Sequence, residues 1–240
     1  MASPRPLTSS ADPGYGWPRP EAIVDTVSTR SARTGLSAAR ISREAHIVEV
    51  AARWIRDGKR LDMQGLATEV GVSRVTLFRH VGSREELLGK AIWRLARTTM
   101  KTAAARWEAE RPPGDLHTPG TARHFNAIVS GAAGLRRLLD DEPSLTMRVL
   151  TDPRGQVQTG IVAGTEWLLR RDIEEFDLVT MVEPDQLAYA LVRLGESFLY
   201  ADLLAARKPD VATANRLQLA LLEGVLLGRE TTAVNRIKSF

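Results

Sequence analysis

Apolar residues recur along this chain with a helical period from residue 42 onward. Ile47, Val48, Ala51, Trp54 and Ile55 share one face of a first helix, and Gly58 supplies its stop. Met63, Leu66, Ala67 and Val70 repeat the i, i+3, i+4, i+7 spacing on a short second helix that Asp62 is placed to cap. Gly71 stands where a left-handed residue turns the chain sharply, and Ser73 heads a third helix over residues 74–80. Leu77, with Val72 and Val81, faces the neighbouring helices, which leaves Arg74, Thr76, Arg79 and His80 for the outer face. A helix this short is not stable alone, so packing must hold it, and its polar side is free for contact.

Ser83 and Glu86 form the S-x-x-E pattern of a capping box and start a long helix. Leu88, Ala91, Ile92 and Leu95 carry its apolar stripe toward Met100 and Trp107, until RPPGD over residues 111–115 breaks it. Further helical segments are predicted over residues 121–139, 144–151, 155–172, 185–206 and 212–228. No strand-like alternation of useful length appears, so the expected class is all-α. Three units are expected: an arm over residues 1–41 with a short helix at 21–27, a helix-turn-helix domain over 42–98, and a second helical domain over 99–240.

At 240 residues and 43% hydrophobic content the chain is long enough to bury a real core. No stretch approaches the roughly 18 uncharged apolar residues of a membrane span, and the first residues lack a secretory apolar run. Cysteine is absent, which removes disulfides and thiolate chemistry and fits a soluble protein of a reducing cytoplasm. Charge is uneven: residues 1–111 carry 19 Lys and Arg against 12 Asp and Glu, whereas residues 112–240 carry 14 against 17. Only the first half suits a polyanion, although an arginine-rich surface would read the same way.

A helix-turn-helix lays its second helix in a DNA major groove, where arginine bonds guanine and threonine or histidine reaches base edges or phosphates. The run over residues 67–87, ATEVGVSRVTLFRHVGSREEL, resembles the N-terminal motif of the TetR family of bacterial transcription regulators. The likeness extends over residues 42–98. It implies that Ser73, Arg74, Thr76, Arg79 and His80 contact DNA, that Gln64 faces the groove from the preceding helix, and that Arg84 takes the place of a phosphate-binding lysine. Phe78, which the resemblance also implies to be a DNA contact, stands where the family has tyrosine and lacks the hydroxyl that would bond a phosphate. Val75 replaces a small residue and either meets a thymine methyl or packs.

Later in the chain, PDQLAYALVRLGESFLYADLLAARKPDV is similar to the QsdR-type subgroup, regulators of genes for γ-lactone degradation. In that subgroup this region binds an effector and forms the dimer. The resemblance therefore implies a homodimeric repressor on a palindromic double-stranded DNA operator, released by a small molecule, with a γ-lactone as the implied effector. The alternative is an effector-independent DNA-binding protein or an activator with the same helix-turn-helix, although about 125 residues beyond the DNA-binding part exceed what dimerisation alone needs.

Phe125, Met147, Gln158, Trp167, Tyr189 and Phe198 are candidates to line the effector pocket, with ordinary core packing as the alternative for each. Glu196 and Arg193 stand within an apolar helix, where a buried charge must find a partner or a ligand. Residues 185–206 carry two apolar stripes and so need two partners. Val192, Leu199 and Leu203, with Leu219, Leu222 and Leu226 from the last helix, are the expected dimer surface, against a wholly intramolecular core. His117 and His124 have no carboxylates at metal-site spacing, and GxSxG, P-loop and GxGxxG motifs are absent. Neither an enzyme, a metal nor a cofactor is expected.

Overall fold

The computed structural model describes residues 34–228, and the helix expected at 21–27 lies outside them. The first helix, α1 (Thr34–Arg56), is already running eight residues before Ser42. It is followed by α2 (Met63–Glu69), α3 (Arg74–Val81) and the long α4 (Arg84–Glu110). Then come α5 (His117–Ser130), α6 (Ala133–Asp141), α7 (Pro143–Thr151), α8 (Gln156–Glu175), α9 (Pro184–Leu199), α10 (Ala201–Ala205) and α11 (Val211–Val225). The fold is all-α apart from one short antiparallel pair, β1 (Leu178–Thr180) against β2 (Leu226–Gly228), in which Val179 pairs with Leu227.

Local chemistry explains the start of the fold. The Asp62 carboxylate accepts the backbone N–H groups of Gln64 and Gly65 at 3.3 and 2.6 Å and caps α2. Gly71 has φ +69°, a left-handed conformation that lets α2 turn directly into α3. Ser73 Oγ accepts the Thr76 N–H at 3.1 Å, and Ser83 with Glu86 completes the reciprocal box that begins α4. Three departures from the predicted elements have plain causes. Gly131 divides the segment at 121–139 into α5 and α6. The last helix stops at Val225, where the chain becomes extended to pair with β1. A three-residue strand is too short to show its alternation in sequence.

The two halves share one core. Ile47, Trp54, Ile55, Leu66, Leu77 and Leu88 of the first four helices lie in the same cluster as Leu138, Leu139, Val149, Leu150 and Val157. The expected boundary at residue 98 therefore falls inside α4, which belongs to both halves. Gly134 brings α6 onto the end of α1: a Cβ there would lie 2.0 Å from the Ile55 carbonyl oxygen. A second, smaller cluster of Leu169, Leu187, Ala188, Leu191, Leu222 and Leu226 holds α8, α9 and α11 together.

Candidate DNA-contacting surface and ligand cavity

Helix α3 buries Leu77 and Val81 and turns a polar face outward. Ser73, Arg74, Phe78 and Arg79 are exposed, Val75 is 78% exposed, and Thr76 and His80 are half-buried. Gln64 is exposed on α2. The Arg74 guanidinium sits 5.5 Å from the centre of the Phe78 ring, a cation–π contact that steadies a long side chain. Thr76 Oγ1 accepts from the Ser73 hydroxyl at 2.9 Å, so the cap also orients a candidate contact group. Val75 is therefore presented to solvent and not packed in the core.

Arg84 departs from expectation. Its Nε donates to the Leu61 carbonyl at 2.8 Å, and Nη1 and Nη2 donate to the two oxygens of Glu142 at 2.8 and 2.6 Å. The guanidinium holds the Glu142 carboxyl below the usual carboxylate range. A lysine has no fork to make this pair, so it is the arginine here that joins the start of α4 to Glu142 in the other half of the protein. Cations that the sequence reading left aside stand nearer α3. Arg40 Nη2 reaches the Arg79 carbonyl at 3.4 Å, and exposed Arg43 borders the α2–α3 turn with His46, Val70 and Gly71. Their signal in the sequence was the basic character of the first half alone.

In the other half, α4, α5, α8, α9 and α11 enclose a cavity of about 780 Å³. Ile92, Met100, Phe125, Leu150, Ile161 and Leu191 wall it, and its lining continues to the exposed Glu49 and Arg53 on α1 and the half-buried Arg94 on α4. Polar groups gather on one side. Glu196, 8% exposed, accepts Arg193 Nη1 at 2.7 Å. With its amide nitrogen toward the carboxylate, Gln158 donates to Glu196 Oε1 at 2.7 Å and reaches the Leu150 carbonyl at 3.3 Å. Burial outweighs the neighbouring Arg193 and pushes the Glu196 carboxyl up to about 7. Asn126 donates to Asn215 Oδ1 at 2.8 Å and to Gln218 Oε1 at 2.9 Å, and Gln218 donates in turn to the Leu191 carbonyl at 2.8 Å.

Of the six residues expected to line this pocket, Phe125 does. Gln158 stands behind the wall and supports Glu196. Met147 and Trp167 pack against the main core, Phe198 is half-buried away from the lining, and Tyr189 is 55% exposed on the outer face of α9. Asn126, Tyr200 and Gln218 were missed, because one buried polar residue per helix leaves no periodic signal. The expected dimer residues also divide. Leu203 and Leu219 are exposed, whereas Val192, Leu222 and Leu226 are buried within the protomer and Leu199 packs on its core. The outward apolar face of α9 and α11 consists instead of Tyr189, Leu217 and Leu219.

His117 lies between the Glu108 and Glu175 carboxylates at 3.1 and 2.8 Å. Its N–H and that of Thr118 donate to buried Asp172 on α8 at 2.6 and 2.9 Å. This set anchors the start of α5 at the cavity edge. No helix among the described residues is long and apolar enough to cross a membrane.

Residues 114–223 match the tetracyclin repressor-like C-terminal domain family. The TetR-family transcriptional repressor QsdR of R. erythropolis has a similar structure, with a TM-score of 0.69 and 28% identity over 77% of this chain and 96% of that one. A TetR-family regulator from Mesorhizobium loti is similar at 0.46 and 15%, over 77% and 95% of the two chains. No curated protein sequence matches the chain. The helix-turn-helix with its capped outward helix, the matched C-terminal domain over residues 114–223 and the likeness to a repressor along most of its length agree: the chain is similar to the TetR family of transcription regulators.

Proposed function

We propose that this protein is a cytoplasmic repressor that binds a palindromic operator as a homodimer and leaves it when a small molecule, a γ-lactone or a relative of one, enters the α4–α11 cavity. In this reading Arg74, Thr76, Arg79 and Gln64 discriminate bases from two successive major grooves about 34–36 Å apart. Arg40 and Arg43 add phosphate contacts, which carry the salt-dependent part of affinity.

The observation that carries the reading is the position of α7. Its Leu150 is part of the cavity wall, while its N-cap Glu142 and its Arg148 hold Arg84 and Glu85 at the start of α4. Arg84 follows α3 by three residues. A ligand that moves α7 therefore moves the helix presented to DNA, and its leverage is its difference in affinity between the two arrangements. Exposed Tyr189, Leu217 and Leu219 offer the second protomer an apolar surface next to the cavity helices.

The test is recovery of bound fragments from a genomic library, followed by footprinting. The reading predicts a two-fold symmetric protected site with half-sites one helical turn apart. Uniform retention of all fragments, with no protected site, contradicts it.

A further inference from the structure

The cavity opens on one side. Among the described residues that line it, the exposed ones are Glu49, Arg53 and Arg56 on α1, Thr98 on α4, and Gly131 and Ala133 at the α5–α6 turn. On α8, α9 and α11 every lining residue is buried or half-buried. Close packing shuts those sides. A Cβ on Gly160 of α8 would stand 2.2 Å from the Trp93 ring of α4, and one on Gly195 of α9 would stand 2.9 Å from the Gln218 amide of α11. Parting these helices to admit a ligand would unpack a dense interior.

The open side is spanned differently. There the Arg94 guanidinium on α4 reaches the Glu49 carboxylate on α1 at 3.3 Å, and their side chains are 39% and 60% exposed. An ion pair this wet is worth little and parts readily, and salt weakens it further. Beside it Arg53 donates to Glu69, the last residue of α2, at 2.8 Å, and the same carboxylate accepts Trp54 Nε1 at 2.8 Å. One side of the opening therefore belongs to the half that carries α3, and the opening lies at the joint between the two halves.

Resting on the assignment of this cavity as the ligand site, we propose that the opening framed by α1, α4 and the α5–α6 turn is the ligand's entrance and that the Glu49–Arg94 pair is the gate across it. A ligand passes when the pair parts, and the packed helices on the other sides stay closed. The pair thus sets how fast ligand enters and leaves, in both directions alike.

Stopped-flow fluorescence of the full chain with N-phenyl-1-naphthylamine, an uncharged probe that brightens in apolar surroundings, tests this through rates. The chain has no cysteine, so Thr98→Cys offers one attachment point for a bulky maleimide at the entrance. That label should slow both association and dissociation by roughly tenfold or more, as an obstructed lid does. The same label on Arg170→Cys, exposed on α8 and outside the lining, should leave both rates within about twofold. Arg94→Ala should raise both rates together by roughly two- to fivefold, the worth of one exposed ion pair, and should remove the acceleration that salt gives the unaltered protein. If labelled Thr98→Cys does not fold, Arg94→Ala and its salt dependence still decide. Unchanged rates in labelled Thr98→Cys, equal slowing in labelled Arg170→Cys, unchanged rates in Arg94→Ala, or a probe that does not bind each overturns the proposal. Displacement of the probe by γ-decalactone is read separately: a lactone that displaces nothing removes the lactone from the functional reading, while the rates still decide the entrance.

Discussion

Arg84 and Glu142, 58 residues apart in the chain, meet through two hydrogen bonds of 2.8 and 2.6 Å. A second pair, Arg148 with Glu85 at 2.6 and 2.8 Å, lies beside the first. Together they fasten the first turn of the helix that follows α3 to α7 at the cavity wall. Planar, two-pronged pairs of this kind fix orientation as well as distance, which suits a junction that must carry movement from one half of the molecule to the other.

Arg84→Ala should therefore leave the log-log salt slope of DNA binding unchanged, because no phosphate contact is removed. It should destabilise the fold by about 1–3 kcal/mol, since Glu142 keeps its partial burial and loses its main partner. Ligand affinity by calorimetry should hold while the ligand concentration needed for release changes. A slope reduced by about one would return Arg84 to the phosphate backbone.

Arg79→Ala and Thr76→Ala should each weaken operator binding by about 1–3 kcal/mol while binding to random DNA falls much less, as expected for groups that read bases. Competition gel shifts measure the two losses together. Equal losses would make these residues phosphate contacts.

The outer and inner apolar residues of α11 should separate cleanly. Leu219→Glu puts a charge on the exposed face and should give a folded monomer, whereas Leu222→Glu forces one into a site that is 1% exposed and should unfold the chain. Light scattering with circular dichroism distinguishes the two. A stable Leu219→Glu dimer would move the interface elsewhere.

Elements defined by caps and turns were legible in the sequence, and sites assembled across helices were not. Asp62, Gly71, Ser73, Ser83 and Glu86 act within a few residues of themselves, so their spacing announces them, and the outward face of α3 follows from the burial of Leu77 and Val81. Tyr189 and Phe198 were placed in the cavity by residue type, yet Tyr189 is 55% exposed and Phe198 lies outside the lining. Arg84 shows the same limit. Its motif position predicted a phosphate, and only the fold brings Glu142 within reach.

Stability should also carry a pH signature of Glu196. Its folded-state pKa, about 7, lies above the ordinary value of 4.5. Between these values the folded protein binds more protons than the unfolded chain, so this residue's contribution is fully present below the lower value and is lost as pH rises through the upper one. Asp172, also raised by burial, acts in the same direction, and so the comparison must be with Glu196→Gln. The variant's melting temperature should fall less than that of the unaltered protein across this window. Parallel curves would mean that Glu196 is ionised at its ordinary pKa.

The most direct test of ligand-controlled DNA binding is fluorescence anisotropy of a labelled operator bound by the full chain, titrated with γ-decalactone, with calorimetry on the same preparation reporting cavity occupancy. The account predicts that anisotropy falls to the value of free DNA as the cavity fills. A cavity filled to saturation while the operator stays bound with unchanged affinity would contradict it.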